Sequence, residues 1–152
     1  MMKEECQIKR LGSHDVIIFQ KLIRLFREVF GMEDPGEAEE SYLLALLQKP
    51  GFIALCAIVE NEIAGGLTAY ELPLYYSGGS EIFIYDIAIK PAFQRKGFGR
   101  KLLVNLEEYS RQSGIKVMFV AANEEDADAM DFYHSTGGKA EKVVHFNYFF
   151  DE

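Results

Sequence analysis

Gln94-Arg95-Lys96-Gly97-Phe98-Gly99 follows a strand-like run and opens a helix-like one. That order gathers several backbone amides and a helix start around one point, which is how a chain grips a phosphate. Gly97 and Gly99 let backbone approach an anion with no side chain between. Arg95, Lys96, Arg100 and Lys101 add local positive charge to a chain whose formal net charge is -8. A Walker loop does not fit, because Lys96 precedes Gly97 and no Lys-Ser/Thr pair follows the glycines. The dinucleotide fingerprint is absent too. The run before the loop, Glu81-Ile82-Phe83-Ile84-Tyr85-Asp86-Ile87-Ala88-Ile89, is nearly all apolar yet carries Asp86. A buried, unpaired carboxylate is costly, so Asp86 is either paired with a core histidine or backbone amides, or kept for chemistry. A phosphate grip beside such an aspartate outlines an enzyme; the plainer reading of the loop is a tight strand-to-helix junction with a solvated basic turn.

The elements that must position these residues follow from periodicity and punctuation. Ile8–Leu11 reads as a short strand, and Asp15–Phe30 as a helix, with Phe19, Leu22, Ile23, Phe26 and Phe30 at helical spacing. Ser13 or Asp15 is placed to cap its start and Gly31 to end it. Pro35-Gly36 marks a turn in an acidic loop of Glu33, Asp34, Glu37, Glu39 and Glu40. Ser41–Gln48 is a second helix, broken by Pro50-Gly51. Phe52–Val59 and Ile63–Leu72 form a hairpin about Glu60-Asn61. Gly65-Gly66 marks a bulge there or a close approach by another group. Residues 81–89 make the next strand. Gly97–Ser113 is a helix with a Phe98, Leu102, Leu106, Tyr109 stripe widened by Leu103, and Gly114 ends it. Val117–Ala121 is a strand, Asp126–Ser135 a helix, and Val143–Phe150 a closing strand. The pattern is α/β: a mixed sheet with helices on both faces. A doubly wound dinucleotide fold fits badly, because the glycine loop follows the fourth strand instead of the first.

The bulk composition sets limits. One domain spanning 1–152 is the expectation at this length. The 12 Phe and 8 Tyr, with no Trp, predict an aromatic-rich core. No apolar run approaches the ~20 residues of a membrane span, and the start carries no secretion signal, so no membrane partner and a cytoplasmic place are expected. Net acidity argues against a nucleic-acid partner and suits a cationic substrate, although solubility alone also explains it. Cys6 and Cys56 are too few for a disulfide scaffold, and Cys56 reads as a small buried hydrophobe. The three histidines have no ligand spacing, so no metal site is expected.

The loop and its setting resemble the GNAT acetyltransferase superfamily, whose signature Gln/Arg-x-x-Gly-x-Gly/Ala stands here as Gln94-Arg95-Lys96-Gly97-Phe98-Gly99. The resemblance covers essentially the whole chain. More narrowly, the chain resembles the aminoglycoside 3-N-acetyltransferase type I branch, through Leu25–Gly31, Phe52–Leu55, Ala69-Tyr70-Glu71-Leu72-Pro73, Glu81–Ile89 and Val144-His145-Phe146. This resemblance implies a GNAT fold, with a mixed, mostly antiparallel central sheet of six to seven strands flanked by helices. A splayed parallel strand pair would form the acetyl-CoA cleft. It implies that backbone groups of Ile87, Ala88 and Ile89 hold the pantetheine arm. Amides of Gln94, Arg95, Lys96, Gly97, Phe98, Gly99 and Arg100 would take the pyrophosphate. Asn123 would touch the cofactor, and Tyr133 would protonate the departing thiolate.

The chemistry asks for this set. An aliphatic amine, pKa near ~10, must lose a proton to attack a thioester, and a carboxylate can attract the cation and pass the proton on. Asp86 is the first candidate for that base and Glu81, at the strand start, the second; a solvated edge residue is the alternative for Glu81. Ordinary packing is the alternative for Tyr133. The implied acceptor is the 3-amino group of an aminoglycoside, met by Glu33, Asp34, Tyr85, Asp86, His145 and Asn147. The branch tends to carry an acidic residue just after the final His-Phe, where Asn147 stands here, which weakens attraction for a polycation; the acidic loop is placed to compensate. A structural role competes for His145. A protein, peptide or polyamine N-acetyltransferase and a non-catalytic acyl-CoA sensor remain as other readings. The aromatic end, Val143–Phe150, suggests a homodimer interface if it is exposed, with core burial as the competing reading.

Overall fold

The computed structural model describes residues 5–33 and 36–151. They fall into two compact units that divide after Ala121.

The first unit is built on one five-stranded sheet. Its elements in chain order are β1 (Cys6–Arg10), α1 (Val16–Phe30), α2 (Glu40–Leu47), β2 (Phe52–Val59), β3 (Glu62–Pro73), β4 (Ser80–Ile89), a 3₁₀ turn (Pro91–Phe93), α3 (Phe98–Gln112) and β5 (Met118–Val120). The sheet order is β1-β2-β3-β4-β5. The first four strands pair antiparallel, and β4 pairs β5 in parallel. Glu60 and Asn61 turn the β2–β3 hairpin with φ of 49° and 64°, the left-handed pair that a two-residue hairpin requires.

The two sheet faces come from simple alternation. Phe52, Ala54 and Cys56 join Phe19, Leu22, Leu25 and Phe26 of α1 and Leu43 and Leu47 of α2 in one buried cluster. Ile53, Leu55 and Ala57 face the other way and are buried as well. On that second face α3 reaches the sheet, where the Tyr109 hydroxyl donates to Glu71 Oε1 at 2.5 Å and Arg10 lies 5.0 Å from the Tyr109 ring centroid. Helices therefore cover both faces, as the sequence pattern predicts.

Two local features hold this packing close. Gly31 closes α1 in the left-handed conformation, φ 63°, and Met32 N–H returns to the Arg27 carbonyl at 3.0 Å. Gly65 and Gly66 mark close approach: a methyl on Gly65 would overlap the Ala88 carbonyl, and one on Gly66 would meet the Leu55 carbonyl and the Leu22 side chain. Asp15 holds the N-cap position of α1, its carbonyl accepting from Phe19 N–H at 2.9 Å, but its side chain does not cap the helix. Its carboxylate instead accepts from Gly12 N–H at 2.8 Å and pairs with Lys9 at 3.0 Å, tying the turn before α1 to β1.

The second unit contains α4 (Ala127–Ser135), capped by the Asp126 carboxylate accepting from Ala129 N–H at 3.1 Å. Gly138 N–H then returns to the Tyr133 carbonyl at 2.8 Å. Residues 139–151 hold no strand. The expected closing strand Val143–Phe150, and with it the six-to-seven-strand sheet, is corrected to five strands among the described residues. The reason is that a strand exists only as part of a ladder: apolar, aromatic composition makes residues eligible for one but supplies no neighbour. The run's large apolar side chains are instead exposed, from 75% at Val143 to 83% at Phe150.

Candidate active site

Asp86 owes its position to a break in the β3–β4 register. Thr68 faces Asp86 and Ala69 faces Ile84, so Tyr85 is skipped. A bulge of this kind puts two successive side chains on one face and re-aims them. Tyr85 and Asp86 thus share the face that carries Tyr70. The Tyr70 ring lies 6.0 Å from Tyr85 and 5.3 Å from Phe52, and Phe83 lies 5.8 Å from Tyr85. No described residue hydrogen-bonds or ion-pairs with the Asp86 carboxylate, so pairing with a core histidine or backbone amides is not what holds it. Burial alone raises its pKa above the ordinary carboxylate value. Burial also raises the Tyr70 phenol, reinforced by Tyr85, Tyr42 and Asp86. Tyr70 therefore lies close to the carboxylate, a residue that sequence reasoning missed. The signal available was the aromatic enrichment of the strands; the bulge that gathers them is invisible in composition.

The same strand outruns its parallel neighbour. β4 runs to Ile89, but its pairing with β5 covers only Ile82, Phe83 and Ile84. The pairing stops at Ile84 because β5 itself ends at Val120. Ile87, Ala88 and Ile89 still pair with β3 through Leu67, Gly66 and Gly65 on one edge. Their other edge has no β5 partner, which leaves backbone groups available for a bound chain. The Ile89 carbonyl already accepts from Gln94 Nε2 at 2.9 Å, so Gln94 ties the loop back to the strand.

The loop has the conformation its sequence suggests. Arg95 and Gly97 are both left-handed, φ 64° and 83°, and α3 starts at Phe98. Alternating backbone handedness turns successive N–H groups to one side as an anion nest, and the first N–H groups of a helix have no intrahelical acceptor. Open space lies where a Gly97 side chain would stand. Lys96 sits 5.7 Å from the Phe93 ring centroid. These amides fit a diphosphate, and nothing in the loop blocks one.

The remaining candidates are placed as follows. Glu81 sits partly exposed near the start of β4, on the Asp86 strand but five residues before it. Glu33 is exposed, and Asp34 lies outside the described residues. Part of the acidic loop is engaged: Glu37 pairs with Arg24 at 2.5 Å, and the Gly36 carbonyl accepts from Arg27 at 2.6 Å. In the second unit, Asn123 precedes α4 with its carbonyl accepting from Asp126 N–H at 3.0 Å. Tyr133 lies on α4, half-buried, its ring 5.3 Å from Phe132. His145 and Asn147 are exposed, in a segment without the strand expected for them. Cys56 is fully buried with its thiol pushed up to about 12, mainly by burial, which leaves no thiolate for a covalent route. No group of His, Cys, Asp or Glu among the described residues has the arrangement of a metal site.

Comparison with known proteins agrees with this geometry. The aminoglycoside acetyltransferase meta-AAC0020, from an uncultured soil metagenomic sample and solved in complex with sisomicin, shares 38% identity with a TM-score of 0.93, over 96% of this chain and 97% of that one. The aminoglycoside acetyltransferase HMB0005, also from an uncultured soil metagenomic sample, shares 33% with a TM-score of 0.92, over 97% and 99%. The uncharacterized N-acetyltransferase YhfO of Bacillus subtilis (strain 168) is 22% identical over 130 residues, 86% of this chain and 87% of that protein. The sequence pattern of the Acetyltransferase (GNAT) family matches residues 18–137. That match spans well over half of the 152 residues, so the chain belongs to the GNAT acetyltransferase family, and its activity is the transfer of an acetyl group from acetyl-CoA to an amine.

Proposed function

We propose that the acceptor is a cationic small molecule, an aminoglycoside acetylated at its 3-amino group, and that it reacts by direct attack while donor and acceptor are bound together. The observation that carries this reading is the unpaired, half-buried Asp86 carboxylate at the β4 bulge, on the strand that leads to the amide loop. Acetyl-CoA supplies the acetyl group as a thioester. Backbone groups of Ile87 and Ala88 and the amides from Gln94 to Arg100 hold it, with Arg95 and Lys96 at the outer phosphates and Asn123 alongside. Asp86 draws the ammonium in and takes its proton; burial raises the basicity of the carboxylate toward that task. Tyr133 gives its phenolic proton, or a hydrogen bond, to a thiolate of pKa near ~8.5. Glu33, Asp34, Tyr85, His145 and Asn147 complete the acceptor side. The whole chain, 1–152, works as one acetyltransferase domain in the cytoplasm. A second copy of the chain covers the run Val143–Phe150, since a monomer rarely leaves so many contiguous large apolar side chains in water.

A thiol-release assay tests this. Sisomicin, gentamicin-type drugs, spermidine and peptide amines are offered with acetyl-CoA. Turnover of a 3-amino aminoglycoside is expected; none with any such drug would end the narrow reading and leave acetyl transfer to another amine. Asp86→Asn is expected to lower kcat by roughly 10²–10⁴-fold, and Tyr133→Phe by about tenfold or more. Calorimetry should find CoA binding retained in both. Unchanged rates would remove the assigned roles.

A further inference from the structure

One face of β4 carries more than Asp86. At the start of the strand Ile82 and Ile84 are buried while Glu81 and Phe83 are not, so Glu81, Phe83 and Tyr85 lie on one side. The bulge then adds Asp86 to that side. Ring contacts make the stretch between the two carboxylates a continuous aromatic floor: Phe83 stacks on Phe119 with centroids 5.0 Å apart and planes 9° from parallel, and Tyr85 touches both Phe83 and Tyr70. Tyr85 is 61% exposed and Phe119 41%, so their rings are open to contact. No described residue hydrogen-bonds or ion-pairs with the Glu81 carboxylate.

The register gives the length of this strip. Leu72 faces Glu81 and Thr68 faces Asp86, so the carboxylates are separated by four residues of β3, roughly 13 Å at about 3.3 Å per residue. One amine cannot meet both, because a hydrogen bond ends near ~3.2 Å. We propose that Glu81 is a specificity-determining residue: it holds a second ammonium of an elongated polycation whose reacting amine sits at Asp86 and whose body lies over Phe83 and Tyr85. The inference rests on the amine-acceptor reading above and assigns Glu81 recognition in place of a second base. Aromatic faces suit the intervening part, since they attract both the C–H surface and the positive charge of such a molecule. An acceptor with one ammonium gains nothing from Glu81.

The test compares spermine with n-hexylamine on the full chain. Glu81→Gln should lower the ratio of kcat/KM for spermine over n-hexylamine about fivefold, the size of one partly solvated ion pair, through KM and not kcat. Glu81→Lys should lower it further. A ratio unchanged in both variants, or a loss confined to kcat, would overturn the proposal. Acetylation of neither amine leaves the amine-acceptor reading to be decided by the aminoglycosides of the thiol-release assay. Calorimetry of spermine on CoA-loaded protein then still decides on the strip: a Kd that does not weaken in Glu81→Gln counts against it.

Discussion

At the residue scale, Asp86 sets function against stability. Its pKa is raised by burial, so between the ordinary carboxylate value and the folded value the native state holds more protons than the unfolded chain. Stability attributable to this group therefore falls as pH rises through that window. Asp86→Asn removes the charge. We expect the variant to be more stable than the parent at neutral pH, with the gain shrinking in acid below the ordinary carboxylate pKa, while turnover collapses. Thermal melts at several pH values read the first effect and the thiol-release assay the second. A variant less stable at neutral pH would mean that the carboxylate has a partner. The aspartate itself was legible in the sequence, as a carboxylate interrupting an apolar run. Its surroundings were not: Tyr70 comes from β3 and Tyr85 from the bulge, and only the pairing of the two strands brings them beside it.

At the element scale, the turn before α1 and the glycines of β3 carry the packing. Hydrogen bonding to Gly12, then Lys9, lowers the Asp15 pKa. A depressed carboxylate contributes stability that is present above its unfolded pKa and lost as pH falls through the folded value. Asp15→Ala should cost about 1 kcal/mol at neutral pH and less in acid; denaturant midpoints at the two pH values check this. Gly66→Ala would drive a methyl into the Leu55 carbonyl and the Leu22 side chain. Overpacking of that kind costs about 1–3 kcal/mol, visible as a lowered melting temperature. Helix and strand positions followed closely from periodicity; Phe52–Val59 matches its strand residue for residue. At the start of α1 the Asp15 carbonyl accepts from Phe19 N–H at 2.9 Å while its carboxylate serves Gly12.

At the scale of the whole molecule, the proposed dimer rests on the exposed apolar run Val143–Phe150. Sedimentation velocity at micromolar concentration should find a dimer, and Phe146→Ser with Phe149→Ser should shift it toward monomer; a parent that sediments as a monomer would overturn the homodimer. By itself the sequence determined the α/β class, the loop with its helix, the acidic character and the carboxylate that interrupts an apolar strand. Those are local properties: they depend on residue type, on spacing and on backbone handedness over a few positions. Tertiary structure decided the number of strands, the short extent of the β4–β5 pairing and the shared face of Glu81, Tyr85 and Asp86. Each depends on which strand lies beside which and in what register. Register is fixed by the sum of many contacts between segments far apart in the chain, and no single segment carries that sum.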